Sequence, residues 1–286
     1  MGKPLVFIPG KKFPSVSITG SRCWLNCSYC MGHYLKIMDH VETPKQLYDL
    51  ARYYWRRRAY GLMVSGGFTR DGRLPVESFL PIIRDIRRDF GLIINIHVGL
   101  VDRGMARALR DVGVDIVDYE LVMDDLVIRD IKHLDKTVND YIRGYEYLLY
   151  YGPDYIAPHI PIGLKYGVID WEYSVIDFLR DYDPYLTVFL VFIPTRNTPM
   201  ENIEPPKPHD VYRVIGYGRR MLGGELSMGC MRPWSIRFIL DRMLISNGVI
   251  DRIVNPPRQV IRDYRLRVIE TCCSIPRSMI YSLGIL

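Results

Sequence analysis

The chain has 286 residues and a dispersed net charge of +6, and its 48% hydrophobic and 24% charged residues are ordinary for a globular protein. Its apolar runs fall short of the ~20 residues that span a membrane, and the opening MGKPLVFIPGKKF lacks the apolar core of a signal peptide. We therefore expect a cytoplasmic protein with no membrane or nucleic-acid partner, whose six cysteines serve metal or redox chemistry rather than disulfides.

Strand-like apolar runs alternate with amphipathic helical segments along most of the chain. Eight strands are predicted, at Ser15–Thr19, Gly61–Ser65, Leu92–Val98, Asp115–Glu120, Ile156–Ile162, Leu186–Ile193, Glu225–Met228 and Val249–Val254. The helical pattern covers Pro44–Arg58, Val76–Phe90, Arg103–Val112, Thr137–Tyr150, Trp171–Tyr182 and Pro208–Leu222. Apolar strands that alternate with helices indicate a parallel sheet covered by helices.

Eight such units predict an α/β fold, a closed (β/α)8 TIM-type barrel over residues 15–256, in a single domain of residues 1–286. A short N-terminal extension precedes the barrel, and a C-terminal extension over residues 257–286 follows it. In such a barrel the functional residues lie just after the strands, at one rim. The candidates described below all meet this condition or lie in the C-terminal extension.

Three cysteines, Cys23, Cys27 and Cys30, follow the first predicted strand with the spacing C-x3-C-x2-C. A structural zinc site usually has four nitrogen or sulfur ligands, so the alternative of a zinc knuckle would need His33 or His40 as the fourth. A four-iron cluster held by three cysteines instead leaves one iron open to a further ligand.

This motif, with the aromatic Tyr29 before its last cysteine, resembles that of the radical S-adenosylmethionine (SAM) superfamily. The resemblance implies a [4Fe-4S] cluster on the three cysteines and SAM chelated to the open iron. Reduction of SAM in that family yields a 5′-deoxyadenosyl radical, which removes hydrogen from unactivated carbon. Placement of the reactants and exclusion of water are then the tasks of the protein.

The same resemblance implies a set of SAM-binding residues on neighbouring strands. Gly66 and Gly67 match the glycine motif that meets the SAM amine, although Phe68 replaces its usual acidic residue; a tight turn without a ligand is the alternative. Glu120 is expected to accept hydrogen bonds from the ribose. The other expected SAM contacts are Asn95, His97, His159 and the segment from Ile160 to Gly163. The alternative for these polar side chains is that they are buried and hydrogen-bonded within the protein and bind no ligand.

Three further cysteines predict a second, auxiliary iron–sulfur cluster. Cys230 follows the seventh strand, and Cys272 and Cys273 lie in the C-terminal extension, with Ser274 or Ser278 as a candidate oxygen ligand. The alternatives are buried thiols, or a redox pair formed by Cys272 and Cys273.

Over nearly the whole chain the motifs PHIPIGL, PTRNTPM, GCMRP and the late CC resemble biotin synthase-like radical SAM proteins of archaea, and most closely one subunit of the two-component lipoyl synthases. This resemblance implies sulfur insertion into an octanoyl-lysyl carrier protein or peptide, with Cys230 at the catalytic sulfur donor. It also implies an electron donor such as ferredoxin and a second radical SAM subunit as partners.

Three other functions are left open by the motifs. Biotin synthase-type sulfur insertion is disfavoured because strands three to six contain no cysteine. A rearrangement or methylation that uses the same radical is the second alternative. The third is a non-catalytic iron–sulfur subunit that transfers electrons or scaffolds a partner.

Overall fold

A computed structural model describes residues 2–285 and consists of one parallel sheet covered by helices. The eleven strands are β1 (Leu5–Phe7), β2 (Ser15–Ser17), β3 (Asp39–His40), β4 (Gly61–Ser65), β5 (Ile93–His97), β6 (Ile116–Glu120), β7 (Tyr155–Ile162), β8 (Leu186–Val191), β9 (Glu225–Met228), β10 (Arg252–Val254) and β11 (Val268–Ile269). The nine α-helices assigned within these residues are α1 (Pro44–Trp55), α2 (Leu80–Phe90), α3 (Arg103–Asp111), α4 (Val138–Tyr151), α5 (Glu172–Arg180), α6 (Pro208–Met221), α7 (Trp234–Ser246), α8 (Arg258–Tyr264) and α9 (Arg277–Ser282).

The strand order β11-β1-β10-β9-β8-β7-β6-β5-β4-β2-β3 is that of a barrel wound by successive β–α units. Every described strand pair is parallel, and all eight predicted strands are present, so the predicted α/β barrel fold is confirmed. The predicted closure by strand pairing is not found: within residues 2–285, the sheet ends at β3 and β11, which do not pair with each other.

Three strands were not predicted, because each is only two or three residues long and shows no recognisable periodicity. β1 and β11 come from the two chain ends that the sequence indicates as extensions. β1 pairs with β10 and with β11, so both chain ends add strands to the sheet.

The apolar core has two layers, one outside and one inside the sheet. The outer layer lies between the strands and the helices, which present their apolar faces to it. The inner layer contains residues near the amino ends of the strands, such as Ile93, Ile116 and Leu186, packed against Cys272 to Ile280 of the C-terminal segment. We call residues 270–282 the tail plug, because they fill the barrel interior at this end.

Arg252, at the start of β10, anchors the tail plug. Its buried guanidinium donates hydrogen bonds to the carbonyl oxygens of Cys273 and Ile275 (2.6 Å to the latter) and forms an ion pair with Glu225. Arg277 in α9 donates to the other oxygen of the same Glu225 carboxylate, at 2.6 Å. The tail plug thus closes the amino end of the barrel and leaves the carboxyl end open for a site.

No helix among the described residues has the length and apolar character that a membrane crossing requires.

Candidate functional site

A cavity of about 310 Å³ opens at the carboxyl ends of the strands. Its walls are mainly apolar and aromatic, and a few polar groups converge at its rim and floor, as in small-molecule sites generally. Seven of the predicted site residues line it: Tyr29, Cys30, Gly66, His97, Glu120, His159 and Cys230.

The three-cysteine loop lies directly after β2, at the cavity rim. Cys27 is buried, Cys23 and Cys30 are partly exposed, and Cys30 faces the cavity. The neighbouring Cys30 thiol raises the pKa of Cys27 well above its usual value, with burial adding to the effect, and the Cys27 thiol in turn lowers the pKa of Cys30. Cys30 is therefore the thiol of this pair that ionises first.

The three sulfur atoms are not gathered closely enough to be the ligands of one zinc ion as they stand. Among residues 2–285 the three sulfurs do not all lie within 4.8 Å of one another. Ligands of one tetrahedral zinc, with Zn–S bonds of about 2.3 Å, lie about 3.8 Å apart. The alternative ligand His40 is also engaged elsewhere, since its Nε2 lies 2.9 Å from the Leu35 carbonyl oxygen.

Gly67 fixes the cysteine loop by close packing. A Cβ atom there would lie 1.9 Å from the Arg22 carbonyl oxygen and 2.5 Å from Cys23 Cα. The Gly67 amide donates to Thr19 Oγ1 at 2.7 Å. Gly67 therefore supports the loop backbone, whereas Gly66 borders the cavity.

A second support comes from the segment after β6. Ser28 N donates to the Ile131 carbonyl at 2.8 Å, and Ser28 Oγ lies 3.0 Å from His133 Nε2. The Cys27 thiol donates to the Lys132 carbonyl at 3.6 Å. Residues 131–133 therefore hold the middle of the cysteine loop.

The PTRNTPM segment after β8 contacts the same loop from another side. Met200 N donates to the Ser28 carbonyl at 3.2 Å, and Tyr34 Oη lies 2.8 Å from Thr195 Oγ1. Tyr34 in turn lines the cavity. This segment is thus part of the rim rather than a separate lid.

Glu120 at the end of β6 forms an ion pair with Lys132 inside the cavity wall. The Lys132 side chain is 6% exposed and that of Glu120 is 31% exposed. Burial by itself would lower the pKa of Lys132, but the Glu120 charge and other nearby groups outweigh it and hold that pKa well above its usual range. Lys132 is therefore a fixed positive charge close to the cysteine loop.

The cavity floor is formed by His97, Asp118 and His159 from three neighbouring strands. His97 Nε2 lies 3.0 Å from Asp118 Oδ2, and His159 Nε2 lies 3.9 Å from the same oxygen. Asn95 is buried behind them and donates through Nδ2 to Asp118 Oδ2 at 2.8 Å and to Cys272 Sγ at 3.4 Å. Asn95 thus supports the floor from below.

The three late cysteines are divided between the cavity and the tail plug. Cys230 borders the cavity, and Cys272 and Cys273 are buried beneath its floor. Cys230 is exposed to the open cavity, but the protein atoms around it still limit its solvation and raise its pKa, as does the nearby charge of Cys272. Ser274 is buried beside them, whereas Ser278 lies on α9, where its Oγ is 3.4 Å from Tyr155 Oη.

Two predicted residues lie away from the cavity for clear reasons. The side chain of Ile160 packs into the outer core, because alternate residues of β7 face opposite sides. Gly163 has a φ of +76°, its amide donates to Glu172 Oε1 at 2.6 Å, and a Cβ there would lie 2.1 Å from Pro206 Cγ. At Ile160 and Gly163 only the backbone is available to a ligand, whereas Pro161 between them lines the cavity.

Sequence reasoning missed Asp118, Lys132 and Tyr34. Asp118 is two residues before Glu120 on the same strand, so strand periodicity would have placed both on one face. Lys132 and Tyr34 lie in irregular segments, where no periodic pattern indicates the direction of a side chain.

The family comparison matches residues 17–165, just over half of the chain, to the Radical SAM superfamily. The chain belongs to the radical SAM superfamily. Within the matched range lie the cysteine loop, Gly66, Glu120 and His159, whereas Cys230, Cys272 and Cys273 lie beyond it. A search of curated proteins finds no significant match.

Solved structures of radical SAM proteins share the fold. The crystal structure of methylornithine synthase (PylB) aligns with a TM-score of 0.58 and 16% identity over 99% of this chain and 82% of its own. HydG, the [FeFe]-hydrogenase maturase, from Carboxydothermus hydrogenoformans aligns with a TM-score of 0.65 and 18% identity over 88% of this chain. SuiB of Streptococcus suis bound to S-adenosylmethionine aligns with a TM-score of 0.56 and 10% identity over 92% of this chain.

This chain spans 59% of the HydG chain and 52% of the SuiB chain. At these identities the likeness concerns the fold, and the reaction has to be argued from the site itself.

Proposed function

We propose that this radical SAM enzyme inserts sulfur into the octanoyl chain of a lysine-linked carrier protein or peptide. The observation that supports it most is the pairing of an apolar cavity with thiols at its wall and beneath its floor. A thin aliphatic chain can enter such a cavity, and Cys230 borders it. Family membership alone supports only the use of SAM and an iron–sulfur cluster.

Cys23, Cys27 and Cys30 are the residues that would hold the [4Fe-4S] cluster. Bound there with SAM, the cluster supplies the 5′-deoxyadenosyl radical. Gly66 borders the cavity, where its backbone would meet SAM, and its missing side chain is explained by packing, since a Cβ there would lie 3.0 Å from Leu74 Cδ1. Glu120 is held in place by Lys132 and would accept hydrogen bonds from the ribose.

Cys230, Cys272 and Cys273 are the proposed ligands of the sulfur-donating auxiliary cluster. Cys272 and Cys273 are adjacent and buried, and the Cys272 side chain, burial and, more weakly, Cys230 raise the pKa of Cys273. Ser274 suits the oxygen ligand better than Ser278. Its buried hydroxyl lies beside Cys272, whereas Ser278 sits on α9 beside Tyr155.

The chemistry sets a simple stoichiometry. Each carbon–sulfur bond replaces one carbon–hydrogen bond, at C6 or C8 of the octanoyl chain. For each bond, one SAM and one electron yield 5′-deoxyadenosine, which carries the removed hydrogen, and methionine. The electron donor, such as a ferredoxin, and a second radical SAM subunit remain part of the proposal.

Iron and sulfide counts after anaerobic reconstitution test the proposal. We expect about eight irons in the parent chain and about four in Cys230→Ala/Cys272→Ala/Cys273→Ala, as two cubane clusters require. The parent protein reconstituted with eight irons should convert an octanoyl-lysyl peptide in the presence of dithionite and SAM. The mass of the peptide product should show that sulfur has been added. About four irons in both proteins would refute sulfur insertion and leave a radical reaction that adds no sulfur.

A further inference from the structure

The cavity floor carries a ligand set that the proposed clusters do not use. His97, Asp118 and His159 come from β5, β6 and β7, and their ligand atoms all lie within 4.8 Å of one another. It is the only group of three or more histidine, cysteine or acidic side chains that meets this distance among residues 2–285. All three residues line the cavity.

The separations suit a single ion. Two ligands bonded to one tetrahedral ion at about 2.0–2.1 Å lie about 3.3 Å apart. The pair from His97 Nε2 to Asp118 Oδ2 measures 3.0 Å, and the pair from His159 Nε2 to Asp118 Oδ2 measures 3.9 Å. The two histidine ligand atoms lie within 4.8 Å of each other, so side-chain rotations that draw the histidines together complete the three-ligand set.

The orientation of His159 points to an electron-pair donor aimed at the carboxylate. Its Nδ1 lies 3.0 Å from the Ala157 carbonyl oxygen, which can only accept, so Nδ1 carries the proton. In the neutral ring, Nε2 then directs a lone pair towards Asp118 Oδ2, which is also an acceptor. Two acceptors at this separation can share a cation, either a proton or a metal ion, in addition to the hydrogen bond that Asp118 Oδ2 accepts from Asn95. A carbonyl that orients a histidine in this way is the usual outer partner of a metal ligand.

The carboxylate is also incompletely paired. Asp118 is 5% exposed, and its Oδ1 makes no well-formed hydrogen bond among the described residues, although the Ser274 hydroxyl lies near enough to interact with the carboxylate. A buried carboxylate oxygen without a partner costs free energy unless an ion or water completes it. Asn95 Nδ2 holds the other oxygen, Oδ2, at 2.8 Å and fixes its direction.

We propose that His97, Asp118 and His159 bind one divalent transition-metal ion, zinc or iron(II), at the cavity floor. Two imidazoles and one carboxylate form the ligand set of many zinc and non-haem iron(II) sites. Three protein ligands leave a further coordination position, and it faces the cavity. This ion site is distinct from the cysteine-held clusters and does not rest on the sulfur-insertion proposal.

Zinc serves as the probe, because it does not form part of an iron–sulfur cluster. The reconstituted enzyme is dialysed anaerobically against zinc chloride, and bound zinc and iron are counted together. The experiment is done in the parent and in Cys230→Ala/Cys272→Ala/Cys273→Ala, which removes the competing thiols. We expect one zinc per chain in both, with a zinc X-ray absorption first shell of nitrogen and oxygen at about 2.0–2.1 Å.

Variants of the floor complete the test. Asp118→Asn and His97→Gln should lose the bound zinc while keeping the iron of the cysteine-loop cluster, and Asn95→Ala should weaken zinc binding by about 10- to 100-fold. His209→Gln, at an exposed histidine on α6, is the matched control and should keep one zinc. The parent spectrum alone tests the proposal if a variant fails to fold.

Three results would overturn the ion site: far less than one zinc per chain, zinc retained in both floor variants, or a sulfur shell at about 2.3 Å. Far less than one zinc per chain would mean that the floor residues only hydrogen-bond to one another and bind no ion. Because the triple cysteine variant reports the auxiliary cluster through iron and the floor through zinc, failure of one proposal is distinguishable from failure of the other.

Discussion

Gly67 shows how a single missing side chain sets the position of the cysteine loop. Since a Cβ at this position would overlap the Arg22 carbonyl, Gly67→Ala must displace the loop backbone. We expect a loss of about 1–3 kcal/mol in stability, typical of overpacking, and less than half of the parent's iron after reconstitution. Gly216→Ala is the control, because this helical glycine meets only Arg220 Nη1, at 4.0 Å, and should bind iron normally. Equal iron content in the two variants would show that the loop tolerates displacement.

The Lys132–Glu120 pair should behave as a unit. Lys132→Met leaves the Glu120 carboxylate without its partner, and breaking a buried pair in this way costs several kcal/mol; the partial exposure of Glu120 reduces our expectation to about 2 kcal/mol. The double variant Lys132→Met/Glu120→Gln should regain most of this loss. Urea unfolding of the parent, both single variants and the double variant gives the coupling free energy. A coupling near zero would mean that the pair is screened by solvent.

At the scale of elements, Glu172 at the start of α5 connects the helix to the turn after β7. Its buried carboxylate accepts hydrogen bonds from the amides of Gly163, at 2.6 Å, and Asp170, at 2.9 Å. Burial nevertheless raises its pKa to about 7. The folded state therefore holds a proton on Glu172 that the unfolded chain has released, between about pH 4.5 and pH 7.

This proton makes stability fall as pH rises through that interval. Integrated over the shift, the loss is on the order of 3 kcal/mol by pH 7, with no further change above it. Glu172→Gln cannot titrate, so the difference in unfolding free energy between parent and variant should change by this amount between pH 4.5 and 7. Urea titrations at several pH values measure this difference in unfolding free energy. Any effect of the glutamine side chain that does not depend on pH is the same at every pH, so it does not alter the change. A difference that is independent of pH would show that Glu172 is ionised in the folded protein.

The alternation of strands and helices made the barrel predictable from the sequence. The tail plug was not predictable in this way. The eight predicted strands carry a dense apolar signal, and the cysteine spacing predicted the first cluster site. β11 has two residues, and Cys272 is placed by contacts with Asn95 and the strands of the inner layer, which are distant in sequence. Asp118 was missed although it shares a strand face with Glu120, because a lone acidic residue on a strand indicates nothing without its neighbours from β5 and β7.

The tail plug should be held by Arg252. Arg252→Met removes the hydrogen bonds to the Cys273 and Ile275 carbonyls and leaves Glu225 paired only with Arg277. We expect amide hydrogen exchange in residues 270–282 to accelerate markedly while β5 to β8 stay protected, because local opening needs less free energy than global unfolding. Arg242→Met is the control, since Arg242 pairs only with the surface residue Asp263 among the charged groups described. Uniform acceleration across the chain would instead indicate that the plug and the barrel open together.

At the scale of the whole molecule, the net charge of +6 affects how a carrier would reach the cavity. If the substrate is carried on an acidic protein, long-range attraction should speed its association, and salt should remove that gain. The Debye length shortens from about 10 Å at 0.1 M salt to about 3 Å at 1 M. We expect the association rate of an acidic octanoylated carrier to fall about tenfold or more between 0.05 and 0.5 M sodium chloride. A short uncharged octanoyl-lysyl peptide, which has no charge to attract, should change less than twofold. Equal salt dependence of the two in stopped-flow binding would mean that the positive charge is dispersed too evenly to attract a carrier.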